Sequence, residues 1–228
     1  MNKPGKILIV VTSCANIDAA HPTGLWLEEF AVPYREFRDG GFGIAVASIR
    51  GGEVPVDPGS QPNAQNAAAW AEAIELLQRT LPVASVDAAD FDAVFLPGGH
   101  GTMFDLPQDA ALQNLLGAFA HAGKVIAAVC HGPAGLVGAK AADGKPLVAG
   151  KRVAGFTNEE ERVAGLDGLM PFLLETRLRE LGADFVVRPN WSDHIECDGK
   201  LITGQNPQSS GSVARAVVAA LVSEGVAA

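Results

Sequence analysis

Residues 124–137 read Lys-Val-Ile-Ala-Ala-Val-Cys-His-Gly-Pro-Ala-Gly-Leu-Val and contain two different local patterns. The first part, Lys124–Val129, is a short apolar run rich in Val, Ile and Ala, which is typical of a buried parallel strand. The second part, His131–Val137, has small residues and an early proline, as expected for the first turn of a helix. Cys130 lies at the corner between them. The pattern predicts a nucleophile elbow, a sharp strand-to-helix turn that presents a reactive side chain at the carboxyl edge of a sheet.

Cys130 is open to two interpretations on this local pattern. A thiol near a helix N-terminus is favoured as the thiolate by the unpaired N–H groups and the partial positive charge there, which indicates a nucleophile. A free cysteine is also among the most buried residue types, so a structural role is the alternative. Both interpretations stay open until the rest of the chain is considered.

The remaining chain alternates between strand and helix patterns. Extended segments are predicted over Lys6–Val11, Phe42–Ile49, Phe91–Leu96, Leu147–Phe156 and Asp184–Val187, with a hairpin of His194–Cys197 and Lys200–Thr203 about Asp198-Gly199. Helices are predicted over Gly24–Arg38, Ala64–Leu81, Pro107–Ala122, Glu159–Gly182 (interrupted near Gly165–Pro171) and Gln208–Glu224. This order predicts one α/β domain over residues 1–228, with a mostly parallel central sheet flanked by helices.

Composition excludes several function classes. The 228 residues are 48% hydrophobic and 19% charged, as in ordinary soluble globular domains, and the net charge of −9 disfavours nucleic acid as a partner. We find no apolar stretch of membrane-spanning length and no signal-peptide pattern, so no membrane partner is expected. Three cysteines, with no metal-ligand spacing, predict neither a disulfide framework nor a metal site. We therefore expect a reduced, cytoplasmic protein.

Binding sites in such sheets lie outside the carboxyl ends of the central strands. The loop after the first strand, Pro97–Gly101 and the Cys130 elbow are therefore expected to converge. Gly98 and Gly99 allow backbone N–H groups to approach a ligand closely, as an oxyanion hole requires, although they could equally form only a tight turn. The pattern lacks Gly-Lys-Ser/Thr and Gly-x-Gly-x-x-Gly, which disfavours a nucleotide site.

Three motifs carry a family resemblance: Phe-Leu-Pro-Gly-Gly-His-Gly (95–101), Ala-Val-Cys-His-Gly-Pro (128–133) and Gly-Phe-Thr-Asn-Glu-Glu-Glu (155–161). They resemble the PfpI superfamily, and the chain is most similar to its branch of chaperones and glutathione-independent glyoxalase III enzymes (D-lactate dehydratases). The resemblance spans nearly the whole chain in the right order. It implies the flavodoxin-like, class I glutamine amidotransferase-like fold and a homodimer.

The resemblance also implies roles for particular residues. Cys130 matches the nucleophile and His131 its elbow histidine. The acid that orients this histidine matches Glu161, with Glu160 as the competing neighbour. From the residues alone, an acidic helix start favoured by the helix dipole is the simpler interpretation of both acids.

A second glutamate of the family, which holds the thiol and shuttles protons, matches Glu29, with Glu28 as the competitor. Helical spacing places Glu29 over Trp26 and Leu25, where bulky neighbours would raise the pKa of its carboxyl by desolvation. A solvated helix carboxylate is the plain alternative.

The reaction that the resemblance implies uses no cofactor and no metal. The Cys130 thiolate attacks the aldehyde of a small 2-oxoaldehyde such as methylglyoxal, and the N–H groups of Gly99 and His131 stabilise the oxyanion. His131 and Glu29 move protons through an enediol, and hydrolysis gives a 2-hydroxy acid. His100 and His21, on loops bordering the site, are candidates for substrate contact.

Competing interpretations remain open. His194-Ile195-Glu196 matches the downstream His-x-Glu of true glutaminase domains, but it runs into the predicted hairpin, where alternate residues face opposite sides. A stress-response holdase with a vestigial site is a second functional class, and a cysteine peptidase or amidase is a third.

Overall fold

The computed structural model describes residues 5–226, and its centre is a seven-stranded sheet. Within these residues the nine strands are β1 (Lys6–Val11), β2 (Gly43–Ser48), β3 (Leu81–Pro82), β4 (Ala93–Leu96), β5 (Val125–Val129), β6 (Arg152–Val153), β7 (Asp184–Phe185), β8 (Ile195–Asp198) and β9 (Leu201–Gly204). The central sheet has the order β3-β2-β1-β4-β5-β9-β8, and every pair is parallel except β8 with β9. Strands β6 and β7 pair separately, in parallel. The predicted mostly parallel α/β sheet is confirmed.

The middle strands are continuous apolar runs because helices cover both faces of the sheet. Residues 7–11 of β1 and all of β4 and β5 are buried. The seven α-helices found between residues 5 and 226 are α1 (Leu27–Asp39), α2 (Ala64–Leu76), α3 (Thr102–Asp105), α4 (Ala110–His121), α5 (Asn158–Ala164), α6 (Leu174–Glu180) and α7 (Ser210–Ser223). In the part of the chain described, no helix is both long enough and apolar enough to cross a bilayer.

Several predicted boundaries were wrong for identifiable reasons. The helix predicted from Gly24 begins at Leu27, because Leu25 first pairs with the backbone of Pro55 and Trp26 is extended. The interruption predicted near Gly165–Pro171 within Glu159–Gly182 is confirmed: Gly165 adopts a left-handed conformation and ends α5, and α6 begins at Leu174. The helix predicted after Cys130 is a short 3₁₀ helix, Gly132–Leu136.

Other elements shift by a few residues. The extended segment predicted over Leu147–Phe156 contains only the two-residue strand β6, and the strand Asp184–Val187 shortens to β7. The hairpin is confirmed, with Gly199 in the left-handed region at its turn. The first four and last two residues of the predicted domain, and with them part of the segment scanned for a signal peptide, lie outside the described residues.

The register of the sheet brings the predicted loops together. Strands β1, β4 and β5 are adjacent and parallel, so their carboxyl ends share one edge. Leu96 is paired with Ala128, which places the glycine loop after β4 directly beside the Cys130 elbow. The Trp26 N–H donates to the carbonyl of Gly98 at 3.1 Å, which connects the start of α1 to that loop. The convergence expected at this edge is confirmed.

Candidate active site

Cys130 occupies a strained turn at the end of β5. Its φ is 59°, a left-handed conformation that costs a residue with a Cβ about 1–2 kcal/mol. The turn is held on both sides, because the Cys130 N–H donates to Gly204 at 3.0 Å and its carbonyl accepts from Phe156 at 2.8 Å. The side chain is buried, with 3% exposure. A strained conformation that neighbouring hydrogen bonds hold in place in this way is typical of functional sites.

The glycine loop packs against the elbow so closely that side chains are excluded. A Cβ on Gly98 would lie 2.6 Å from the His131 nitrogen, and one on Gly132 would lie 2.0 Å from the Leu96 carbonyl oxygen. Gly99 has a φ of 98°, a conformation that favours glycine. The glycines therefore do more than form a turn: they bring two stretches of backbone into contact beside the thiol.

The backbone donors of this loop have different roles. The Gly98 N–H donates to Glu29 Oε2 at 2.7 Å and is therefore engaged within the protein, although the sequence grouped it with the substrate-binding donors. The Gly99 N–H has no acceptor within residues 5–226. The His131 N–H points at the Cys130 sulfur. Gly99 is thus the loop donor left free for an oxyanion, and the His131 N–H, which already faces the sulfur, is the second donor that an oxyanion formed there would meet.

His131 connects the thiol to Glu161. Its Nδ1 lies 3.3 Å from Cys130 Sγ, and its Nε2 lies 2.7 Å from Glu161 Oε2. A second histidine, His100, places its Nε2 2.8 Å from Glu161 Oε1. All four side chains are buried. The predicted residues Cys130, His131 and Glu161 are thus connected in a row by hydrogen-bond contacts. His100 adds a second histidine on the carboxylate of Glu161.

The carboxylate of Glu161 fixes the protons on both rings. Burial acts to raise its pKa, but the charges and hydrogen bonds of His131 and His100 outweigh burial and lower the pKa to about 2. An ionised carboxylate only accepts hydrogen bonds, so each facing Nε2 must carry a hydrogen. Burial, with His100 nearby, lowers the pKa of His131 despite the opposing effect of Glu161. His131 is therefore neutral near pH 7, with an unprotonated Nδ1 facing the thiol.

Glu29 lies on the other side of the thiol. It is fully buried, and burial raises its pKa to about 8, against the opposing hydrogen bonds of the Cys130 thiol and the Gly98 N–H. The predicted rise in the pKa of Glu29 is confirmed. Burial, together with the charge of Glu29, raises the pKa of the Cys130 thiol well above its usual value. The expectation that a helix N-terminus favours the thiolate was wrong, because the following helix is a short 3₁₀ turn and burial dominates.

The structure distinguishes Glu29 from Glu28, and Glu161 from Glu160, as the acids of the site. Glu28 is exposed, whereas Glu29 faces the thiol. Glu160 is buried but does not contact His131: it closes a capping box with Thr157 and accepts the Trp191 N–H at 2.9 Å. Thr157-Asn-Glu-Glu160 is a Ser/Thr-x-x-Glu pattern, so the sequence did carry a signal for this structural role.

His194 and Glu196 do not join the site. They lie 3.1 Å apart on and beside β8, and Glu196 pairs with Arg152 at 2.9 Å. Neither lines the cavity above Cys130. Of the other two cysteines, Cys14 is half-buried, with its Sγ 3.2 Å from the Asn16 carbonyl, and Cys197 is exposed on the hairpin, as predicted.

A cavity of about 330 Å³ opens above Cys130. Phe156 and Trp191 contribute aromatic walls that the sequence analysis missed, since isolated aromatics in loops carry no periodic signal. The Phe156 ring lies 4.3 Å from that of His131 and 5.6 Å from that of Trp191. The cavity is lined by Ile17, Ala20, His21, Pro22, Thr23, Trp26, Asp57, Gly99, His100, Cys130, His131, Phe156, Ala164, Leu166, Trp191 and Pro207.

His100, His131 and Glu161 are also close enough to share a metal ion, since their ligand atoms lie within 4.8 Å of one another. Both histidines, however, already hydrogen-bond to Glu161 through Nε2. A metal ion bound at those nitrogens would have to break both bonds and free the rings from the tautomers described above. The donor set fits a proton relay better than a metal centre.

The chain is similar in sequence and in structure to known proteins. The chain is 32% identical to the glutathione-independent glyoxalase hsp3101 of Schizosaccharomyces pombe, over 96% of each chain. Among solved structures, glyoxalase III of Candida albicans superposes with a TM-score of 0.88 at 29% identity, covering 95% of this chain and 97% of that one. Rapid Encystment Protein 24 KDa of Francisella tularensis superposes with a TM-score of 0.90 at 34% identity, covering 95% and 99%. Residues 23–220 match the DJ-1/PfpI family. The chain therefore belongs to the DJ-1/PfpI family.

Proposed function

We propose that this protein is a glutathione-independent glyoxalase, a lyase of the D-lactate dehydratase type that converts methylglyoxal and related 2-oxoaldehydes to 2-hydroxy acids. The observation that carries the proposal is the arrangement of Cys130 between two proton-handling groups, His131 and Glu29, at the floor of a cavity. The names of the relatives in two yeasts support the same activity.

The first step is attack of sulfur on the aldehyde carbon. The thiol has a raised pKa, so it needs a base at the moment of attack. His131 Nδ1, or Glu29 in its ionised form, takes the thiol proton as the carbon–sulfur bond forms. The former aldehyde oxygen becomes an oxyanion facing the N–H groups of Gly99 and His131, and then takes a proton to give a hemithioacetal.

The second step moves hydrogen between the two oxygenated carbons. A base removes the C1 hydrogen of the hemithioacetal while the C2 carbonyl oxygen gains a proton, which gives an enediol. A proton is then delivered to C2, and the C1 hydroxyl loses its own, leaving a thioester of the 2-hydroxy acid. C1 is oxidised and C2 reduced within one molecule, so no external oxidant takes part. We assign these transfers to Glu29, whose pKa of about 8 suits exchange near neutrality, and to His131.

The third step is hydrolysis. Water adds to the thioester carbonyl, again beside the Gly99 and His131 N–H groups, and the Cys130 sulfur leaves and regains its proton. The sum is one 2-oxoaldehyde and one water converted to one 2-hydroxy acid. For methylglyoxal, with a proton delivered to one face of C2, the product is D-lactate.

The test is D-lactate formation from methylglyoxal by the purified protein without glutathione, before and after dialysis against EDTA. We expect turnover under both conditions, and loss of at least a hundredfold in Cys130→Ala. Absence of D-lactate from the wild type would overturn the proposal. A holdase would suppress aggregation of a client protein equally well with Cys130→Ala, and a peptidase would cleave model peptides in a Cys130-dependent way.

We further propose that the protein acts as a cytoplasmic homodimer, on the basis of the family resemblance. Sedimentation equilibrium over a range of concentrations tests the dimer, since a monomer of 23.6 kDa is readily distinguished from twice that mass. Fluorescence microscopy of a tagged chain tests the compartment.

A further inference from the structure

Trp191 forms one wall of the cavity and is held there unusually firmly. Its backbone has a φ of 64°, which is a strained conformation for a bulky residue. Its side chain is 41% exposed, although it lies against Phe156 with ring centroids 5.6 Å apart. A large aromatic side chain that is left half-open over a cavity presents apolar surface to whatever occupies that cavity.

The conformation of Trp191 is fixed through Glu160. Glu160 is fully buried, and its Oε1 accepts the Trp191 N–H at 2.9 Å. The same oxygen accepts from Gln205 at 3.1 Å and from Asn206 at 2.9 Å, while Oε2 accepts from the Thr157 N–H at 3.0 Å. Hydrogen bonds to a charged acceptor are the strong ones, so this network over-determines the strained loop. Glu160, which plays no part in the thiol chemistry, therefore positions the backbone at Trp191.

The cavity is also larger than the smallest substrate requires. A water molecule takes about 30 Å³ of liquid volume, so a cavity of about 330 Å³ has room for roughly ten small groups, about twice what methylglyoxal fills. Much of the lining is apolar and includes Trp191, Phe156, Leu166, Ala164 and Pro207. The cavity that holds the thiol therefore also offers apolar and aromatic surface to a substrate.

We propose that Trp191, positioned by Glu160, is the specificity-determining wall of the site and receives the substituent of the 2-oxoaldehyde. This inference rests on the proposed function. The wall favours apolar substituents larger than methyl, and a planar aromatic substituent most of all, because it can pack against Trp191 and Phe156 while its aldehyde reaches Cys130. Arylglyoxals are the substrate class that matches this geometry.

The test compares kcat/KM for phenylglyoxal and methylglyoxal in the wild type, Trp191→Ala, Trp191→Phe and Glu160→Gln. The wild type is expected to prefer phenylglyoxal. Trp191→Ala is expected to lower the ratio of the two kcat/KM values by about tenfold, mainly through the KM of phenylglyoxal, and Trp191→Phe to restore most of it. Glu160→Gln is expected to lower the ratio in the same direction. Leu81→Ala, which removes an exposed apolar side chain outside the cavity, is the matched control and leaves both values unchanged.

A ratio that stays the same in Trp191→Ala overturns the inference, as does an equal fall for both aldehydes. A binding measurement separates this outcome from failure of the proposed function. Calorimetric titration of phenylglyoxal and methylglyoxal into Cys130→Ala, with and without Trp191→Ala, reports the apolar wall without turnover. If the wild type turns over neither aldehyde but Trp191→Ala weakens phenylglyoxal binding selectively, the proposed function fails and the binding wall stands. If binding is not selective, the wall fails too.

Discussion

Glu29 Oε2 accepts the backbone N–H of Gly98 at 2.7 Å, which fastens helix α1 to the loop after β4 and fixes the carboxyl beside the thiol. A Cβ on Gly98 would lie 2.7 Å from that same oxygen and 2.6 Å from the His131 nitrogen. The two residues thus depend on each other. The missing side chain of Gly98 lets the Glu29 carboxyl come close to the loop, and the hydrogen bond from the Gly98 N–H holds that carboxyl in place.

Gly98→Ala is therefore expected to lower D-lactate formation by at least a hundredfold, because the added methyl displaces both Glu29 and an oxyanion donor. The overpacking should also cost about 1–3 kcal/mol of stability, measured by urea unfolding. Gly168→Ala is the matched control, since a Cβ there meets nothing within 4 Å. Full activity in a folded Gly98→Ala protein would contradict the site as described.

Glu29 should also destabilise the protein as pH rises. Its folded pKa of about 8 lies above the unfolded value of 4.5, so its contribution to stability is fully present below about pH 4.5 and is lost progressively as pH rises from 4.5 through 8. Relative to the wild type, Glu29→Gln should become more stable by up to about 5 kcal/mol between pH 4 and pH 9. Urea unfolding at several pH values measures this difference. Exposed Glu28→Gln should show a much smaller one.

The catalytic rate should also depend on Glu29, but it should rise with pH where the stability falls. Glu29 accepts protons only when ionised, so kcat/KM is expected to rise as pH increases through about 8. In Glu29→Gln this rise should disappear, leaving a lower, flatter profile. A rise that is unchanged in Glu29→Gln would assign it to another group.

Glu161 should act in the reverse direction on stability. Its folded pKa of about 2 lies below the unfolded value of 4.5, so its contribution of about 3 kcal/mol is present above pH 4.5 and is lost as pH falls through 2. Glu161→Gln should remove this acid-dependent part. It should also lower kcat by a factor on the order of 10²–10⁴, because an amide can donate to an Nε2 and so allow the wrong tautomer of His131. Urea unfolding from pH 3 to 7 and steady-state kinetics measure the two effects, and a kcat close to the wild-type value would exclude the relay.

Much of the fold followed from local pattern. The central strands are continuous apolar runs bounded by turns, and β1 was predicted to the residue. Helix ends were less accurate, because the pairing of Leu25 with Pro55, which delays the start of α1, joins residues distant in sequence. The same limit applies to the short 3₁₀ helix after Cys130.

The residues of the site also fall into those that the local sequence indicated and those that it did not. Cys130, His131 and the glycine loop are adjacent in sequence or in the sheet, so motif and topology were enough to bring them together. Glu29 and Glu161 were singled out by resemblance. Burial separates Glu29 from the exposed Glu28, whereas Glu160 is as buried as Glu161 and only the hydrogen bond to His131 separates these two. The pKa of Cys130 was predicted in the wrong direction, because desolvation depends on packing from every side and not on the local turn. Trp191 has no sequence pattern at all.

Glu160 and Glu161 are consecutive residues in the first turn of α5, yet one supports the loop that carries Trp191 and the other supports His131. The support of His131 and the support of the proposed specificity wall thus come from the same helical turn, through separate hydrogen bonds. With Trp191 in its proposed role, replacements in its loop are expected to alter which aldehydes enter while the histidines keep their protons and positions. Both kinds of support require that this turn of helix is preserved.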